Sequence, residues 1–252
     1  MPAGSGIELV RAPAVRDTRA VTRYGQYCPI ARAAEVLGDR WTLLILRELI
    51  CGSRGFNEIA RGLPRMSRSV LSTRMRSLES EGLVTRGDGG YELTAAGTEL
   101  KPVLFGLGEW GARWGFQDPR EDELDPVVLM WWIHRGIDTQ LLPDRRVVVE
   151  FRFRRQRGRF WLLITRGDVG VCESDPGFDS DIVVDADLST MFGVWLGRER
   201  LVDAQRDDLV CFAGPPGLVR TFVRSLEFSP ISYAVRDAGR AAARHRPANQ
   251  PV

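Results

Sequence analysis

Arginines interleaved with short polar side chains are the residues of this chain best suited to chemistry. The chemistry they suit is a grip on phosphates and on base edges, because a guanidinium fork matches both phosphate and guanine. In residues 54–76, RGFNEIARGLPRMSRSVLSTRMR, six arginines (Arg54, Arg61, Arg65, Arg68, Arg74, Arg76) face one acid, Glu58. Ser67 is suited to cap a helix that puts Val70, Leu71, Met75 and Leu78 on one face and Arg68, Ser69, Ser72, Thr73 and Arg76 on the other. Short side chains let such a helix sit deep in a major groove about 12 Å wide while the arginines reach out. An ordinary exposed helix face would more often carry Glu and Lys in i, i+4 pairs. The expected DNA contacts are Arg54, Arg65, Ser67, Arg68, Ser69, Ser72, Thr73, Arg74 and Arg76, with Arg86 from a following hairpin.

Other chemistry is poorly supplied. No nucleophile–base pair, glycine-rich phosphate loop or carboxylate dyad stands out, so an enzyme is not expected. Asp185 and Asp187 read as acids at a strand end. The four cysteines (Cys28, Cys51, Cys172, Cys211) form no CxxC pair, and His134 and His245 lie far apart, so neither a metal nor a cofactor is expected.

Bulk composition limits what an arginine means here. The 252 residues carry a formal net charge of +2, so nucleic-acid binding would have to come from local clustering. Lys101 is the single lysine among 35 basic residues, a bias that makes each arginine a weak signal by itself. The longest apolar run, residues 127–133, falls far short of the roughly 18 to 20 residues of a membrane span. The start, MPAGSGIELVRAPAVRDTRA, lacks the features of a secretory signal, and a cytoplasmic protein is expected.

Several elements must position the arginine helix. Residues 1–23 read as a flexible arm, with a basic arm along DNA as the alternative. Cys28-Pro29 opens a helix. A second helix carries a stripe of Trp41, Leu44, Ile45 and Leu49 interrupted by Glu48, and a short third holds Phe56, Ile59 and Leu63. After the Ser67 helix, 83–86 and 91–94 flank a Gly-rich turn and read as a β-hairpin. Thr94 can cap a helix running through Leu100, Val103, Leu104, Leu107, Trp110 and Trp114. So many large residues on one stripe point to a dimer interface, packed with residues near Tyr24; the alternative is that the tryptophans cover their own chain.

Residues 117–126 are acidic, Pro-flanked and aperiodic, and read as a linker. Beyond it, Val147, Val149, Phe151 and Phe153 alternate as in a half-buried strand, and 160–165 read as a central strand, apolar on both faces. Strands near 169–173, 181–185 and 209–213 follow, with helical stripes at Leu188, Met191, Phe192, Trp195 and Leu196 and again from Leu218 to Leu226. The fold class is α+β: a winged helix-turn-helix domain over 24–116 and a sheet-and-helix domain over 127–235, with residues 236–252 a disordered tail.

The segments CPIARAAEVLGDRWTLLILREL, GFNEIA, SVLSTRMRSLESEGLVTR and YELTAAG, in that order, resemble the HxlR-type winged-helix transcriptional regulators over residues 27–116. The resemblance implies a homodimer that binds a pseudo-palindromic operator in double-stranded DNA with the Ser67 helix in the major groove. It also implies a possible redox thiol at Cys28, since in some members the equivalent cysteine senses oxidants or electrophiles; packing alone is the other account of that residue. Two departures are Gly55 before the Phe and a wing of only 87–90. The run GRERLVDAQRDDLVCFAGPPGLVRTF, with Gly197, Ala204 and Gly214-Pro215-Pro216, resembles the sterol-carrier-protein-like domain over 127–230. That implies an apolar tunnel for a hydrophobic small molecule, with Trp131, Trp132, Met191, Phe192 and Trp195 as candidate lining. A closely packed core without ligand is the alternative for these five. The expected function is a DNA-binding transcriptional regulator whose second domain binds a hydrophobic effector or supports assembly. The alternative is a lipid or apolar-ligand carrier in which the winged helix mediates protein contacts.

Overall fold

The computed structural model describes residues 24–245; the expected arm at 1–23 and residues 246–252 of the expected tail lie outside the described residues. The chain divides into two compact units. One comprises residues up to Ala60 with Arg65–Lys101, the other Arg61–Pro64 with the chain from Pro102 onward.

In the first unit, α1 (Pro29–Leu37) begins with Pro at its first turn, where a missing N–H costs nothing. The second helix, α2 (Thr42–Ile50), buries Ile45, Leu46 and Leu49. The expected stripe needs correction. Leu44 is exposed, and Glu48, expected only to interrupt the stripe, is fully buried. Its Oε1 accepts from Arg47 at 2.8 Å and its Oε2 from Ser53 Oγ at 3.4 Å, which makes the burial of a carboxylate tolerable. After α3 (Phe56–Gly62) comes α4 (Arg68–Ser80), whose Leu71, Met75 and Leu78 are buried. Val70, expected on that face, sits at its rim and is 40% exposed.

Strands β1 (Val84–Gly87) and β2 (Gly90–Leu93) form the expected hairpin around Asp88-Gly89, and α5 (Ala95–Glu99) follows, capped by Thr94. The hairpin is anchored near its turn, where the Tyr91 N–H donates to the Arg54 carbonyl at 2.8 Å. Gly90 has φ 112°, and a Cβ there would lie 2.5 Å from that same carbonyl oxygen, so only glycine lets the two backbones meet.

Helix α6 (Lys101–Trp114), expected with the winged helix, falls from Pro102 onward in the second unit. Its Gly108 faces Ile231, and Tyr233 donates its hydroxyl to Glu109. Helix α7 (Pro126–Arg135) follows, capped by Asp125. Strands β3 (Val147–Phe153), β4 (Phe160–Thr165), β5 (Asp168–Cys172), β6 (Ile182–Ala186) and β7 (Val210–Ala213) make one sheet in the order β5-β4-β3-β6-β7. Pairing is antiparallel except between β3 and β6, where Val149 stands opposite Ile182 and Phe151 opposite Val184. The middle strand is β3, and β4, expected as a central strand, is an interior one between β5 and β3. Helices α8 (Leu188–Leu196), α9 (Leu201–Arg206), α10 (Pro216–Ser225) and α11 (Ser232–His245) complete the unit. Its core joins Leu129, Met130 and Ile133 of α7 to Val149, Phe151 and Leu162 of the sheet and Phe222 of α10. Residues 236–245, expected to be disordered, are helical: alanine has the highest helix propensity, and Ala234 and Val235 of the same helix are buried.

The half-buried alternation expected of β3 is also corrected. Val148 and Glu150, on its other face, are buried as well. Glu150 sits in the middle of the sheet because charge surrounds it. Arg152 Nε and Nη2 donate to its two oxygens at 2.8 and 3.0 Å, Ser180 Oγ donates at 3.3 Å, and Arg159 lies at 3.3 Å. The hydrogen bonds from Arg152 hold its carboxyl below the ordinary glutamate range, against the opposing effect of burial. A depressed carboxylate contributes stability that is complete above its unfolded value, about 4.3, and is lost as pH falls through the folded one. Glu150→Gln is therefore expected to lower the melting temperature at neutral pH and to flatten its fall on acidification below about pH 4.5. Thermal melts across that range read both effects; parallel curves for the two proteins would refute the assignment.

Candidate nucleic-acid interface

The face of α4 turned away from the buried Leu71, Met75 and Leu78 is built from short and positively charged side chains. Ser67 caps the helix, its Oγ accepting from the Val70 N–H at 3.3 Å and lying 3.1 Å from Ser69 Oγ. Ser67, Arg68, Ser69, Ser72 and Arg76 are exposed and Thr73 is half-buried. Arg68 Nη1 donates to Asn57 Oδ1 at 2.7 Å, which extends the guanidinium from the helix start toward α3. Arg76 folds back along its own helix, donating to the Ser72 carbonyl at 3.4 Å and to Thr73 Oγ1 at 3.5 Å. These are exposed, easily exchanged bonds, so both arginines can turn to another acceptor.

Arg74 differs from the rest of the expected set. It pairs with Asp39, between α1 and α2, and its side chain is 26% exposed, so it braces the unit. Arg54 and Arg65 are exposed on the turns before α3 and α4. Arg86, on the hairpin, is exposed and lies 5.6 Å from the ring centroid of Tyr91. Sequence reasoning missed Val70: assigned to the core, it presents methyl groups beside Ser69 at the start of the polar face. A β-branched residue three positions after the cap gave no signal separating rim from core.

The residues expected at a dimer interface divide by exposure. Val103, Leu107, Trp110 and Trp114 are exposed at 46%, 48%, 64% and 69%, spaced i, i+4, i+7, i+11 along one stripe. Leu100 and Leu104 are half-buried. Tyr24 is exposed, as are Tyr27 and Ile30. Cys28 stands half-buried at the N-cap of α1, with no side-chain capping bond.

The five candidate lining residues of the second unit also separate. Met191 and Trp195 are in the core, and Trp131 is buried with its ring 4.1 Å from that of His134. Phe192, also part of that core, and Trp132, packed against it, border a cavity together with residues 115–120, which join the end of the expected winged-helix domain to the start of the expected linker. Among the described residues no helix is long and apolar enough to cross a membrane.

A family model described as HxlR-like helix-turn-helix matches residues 36–119. An HTH-type transcriptional regulator of Synechocystis is 35% identical over 107 residues, which cover 40% of this chain and 79% of that protein. The HTH-type transcriptional regulator YvaP of Bacillus subtilis is 37% identical over 97 residues, 35% of this chain and 90% of YvaP. Among solved structures, the ubiquinone synthesis protein UbiJ-SCP2 is 16% identical, over 53% of this chain and 93% of its own, with a TM-score of 0.29. A likeness at that level does not carry the fold of the second unit, which rests on the strand order above. On the sequence relationship to the Synechocystis and Bacillus proteins, the chain belongs to the HxlR-like helix-turn-helix family.

Proposed function

We propose that this protein is a DNA-binding transcriptional regulator that acts as a homodimer on a pseudo-palindromic operator, with a second unit that binds a hydrophobic effector. The observation that carries the reading is the exposed face of α4, where Arg68, Ser69, Ser72 and Arg76 stand together and the one acid of the helix, Glu79, comes only in its last turn. In this reading the face enters the major groove, Arg68 takes a guanine edge, and Val70 meets a thymine methyl. Arg54, Arg65 and Arg86 supply phosphate contacts that set register without reading sequence. The exposed stripe of Val103, Leu107, Trp110 and Trp114 joins two copies, and dimeric helix-turn-helix proteins in general read half-sites about 34–36 Å apart or a multiple of that.

Selection of bound fragments from random DNA, followed by footprinting, tests the proposal; failure to enrich any site at low salt would refute it. On the selected site, Arg68→Ala is expected to cost about 1–3 kcal/mol and to relax preference at one position. Arg65→Ala is expected to weaken all sequences alike and to lower the slope of log affinity against log salt by roughly 0.9. Anisotropy titrations at several salt concentrations separate the two.

A further inference from the structure

Within the second unit, a cavity of about 620 Å³ lies between residues 115–124 and the helices α7 and α8. Its size falls in the ordinary range for small-molecule sites, roughly 300–1,000 Å³. The apolar wall is Trp132 and Phe192, edge to face with centroids 5.9 Å apart, extended by Phe116, Leu124 and Leu196.

The charges on the rim cancel in pairs, except one. Arg198 Nη2 meets Asp118 Oδ1 at 2.6 Å, and its Nη1 donates to the Gln117 carbonyl at 2.9 Å. Arg120 Nη2 meets Glu123 Oε1 at 2.8 Å, and its Nε lies 3.3 Å from Asp122. Both lining arginines are therefore satisfied by lining or adjacent acids. Glu199 has no hydrogen-bond donor or ion-pair partner for its carboxylate among the described residues. It can lie across α8 because position 193 is glycine: a Cβ there would stand 2.7 Å from Glu199 Oε1. Burial first, and then the charge of Asp187, raise its pKa against the opposing effect of Arg198, as befits a carboxylate short of a cation.

We propose that this cavity binds a hydrophobic organic cation, an amine with an aromatic body, whose ring packs on Trp132 and Phe192 and whose ammonium pairs with Glu199. An aromatic wall attracts a cation through its ring faces, and a carboxylate beside it supplies the counter-charge. A carboxylic acid of the same shape would meet an unmatched negative charge and be rejected. The inference rests on the reading of the second unit as an effector-binding unit and is independent of DNA binding.

Calorimetric titration of the full chain with three compounds of one shape tests it: 1-naphthylmethylamine, 1-naphthylmethanol and 1-naphthoate. The amine is expected to bind at least tenfold more tightly than the alcohol, and the acid more weakly than either. Glu199→Gln should remove the preference for the amine while leaving the alcohol unchanged, and Trp132→Ala should weaken both. Equal binding of amine and alcohol, or an amine affinity unmoved in Glu199→Gln, overturns the cation assignment and leaves the effector reading standing. If none of the three binds, both fall. Thermal melts of each variant show whether a loss reflects unfolding, and the unchanged alcohol affinity of Glu199→Gln is the internal control.

Discussion

Replacing Trp110 and Trp114 together by glutamate is expected to turn a dimer into a monomer and to weaken operator binding by about 10²- to 10⁴-fold. The size follows from linkage of two reading heads: once one α4 is seated, the second binds as an intramolecular event, and that advantage disappears when the copies separate. The substitution leaves the fold intact because the two side chains are 64% and 69% exposed and none of the described core depends on them. Four large apolar residues along one exposed helix stripe also exceed what scattered surface residues would give. Sedimentation gives the mass of the variant, and anisotropy on the full site and on a half-site gives the affinities. A variant that stays dimeric, or that loses full-site and half-site binding equally, would show that the stripe is not the interface.

The second large effect concerns Phe222→Ala. Phe222 is fully buried on α10, 6.5 Å from Phe151 and 6.4 Å from Phe212 between ring centroids, and truncating such a side chain costs about 3–5 kcal/mol. The expected result is selective melting of the sheet-bearing unit at a temperature lower by several degrees, visible as a separated first transition in calorimetry. Because α6 is packed within that unit through Gly108 and Glu109, dimerisation is expected to fail at the same transition, well before the first unit unfolds. A single shifted transition with dimerisation lost only at its end would contradict this coupling.

What the sequence made legible follows from how local each signal is. Ser67, the helix it opens and the hairpin after it are written in caps, periodicity and turn residues, and all of these act over a few positions. Val70 and Glu48 were misassigned because periodicity names a face but not its edges, and because a buried carboxylate is licensed by partners: Ser53 lies five residues away, beyond the helix end. Glu150 escaped for the same reason at longer range, since Ser180 and Arg159 reach it only once the sheet exists. The candidate lining was half recovered. Five large residues at helical spacing could not be divided into core and cavity by pattern, because the opposite wall comes from 115–120, a segment with no periodicity at all. The charge bookkeeping around Glu199 was invisible until Asp118 and Arg198, 80 positions apart, were seen to meet.

Arg198, by holding the Gln117 carbonyl and Asp118, clasps the segment after α6 onto the turn that follows α8. The cavity wall starts at Gly115, the residue directly after Trp114, so the segment that would enclose a guest is the covalent continuation of the helix carrying the exposed tryptophans. In the proposed dimer, a guest that shifted this clasp would pull on the end of that helix, and pairing of two helices would pull back on the clasp. Thermodynamics then demands repayment in kind: by whatever factor a guest alters self-association, self-association alters the hold on the guest by the same factor.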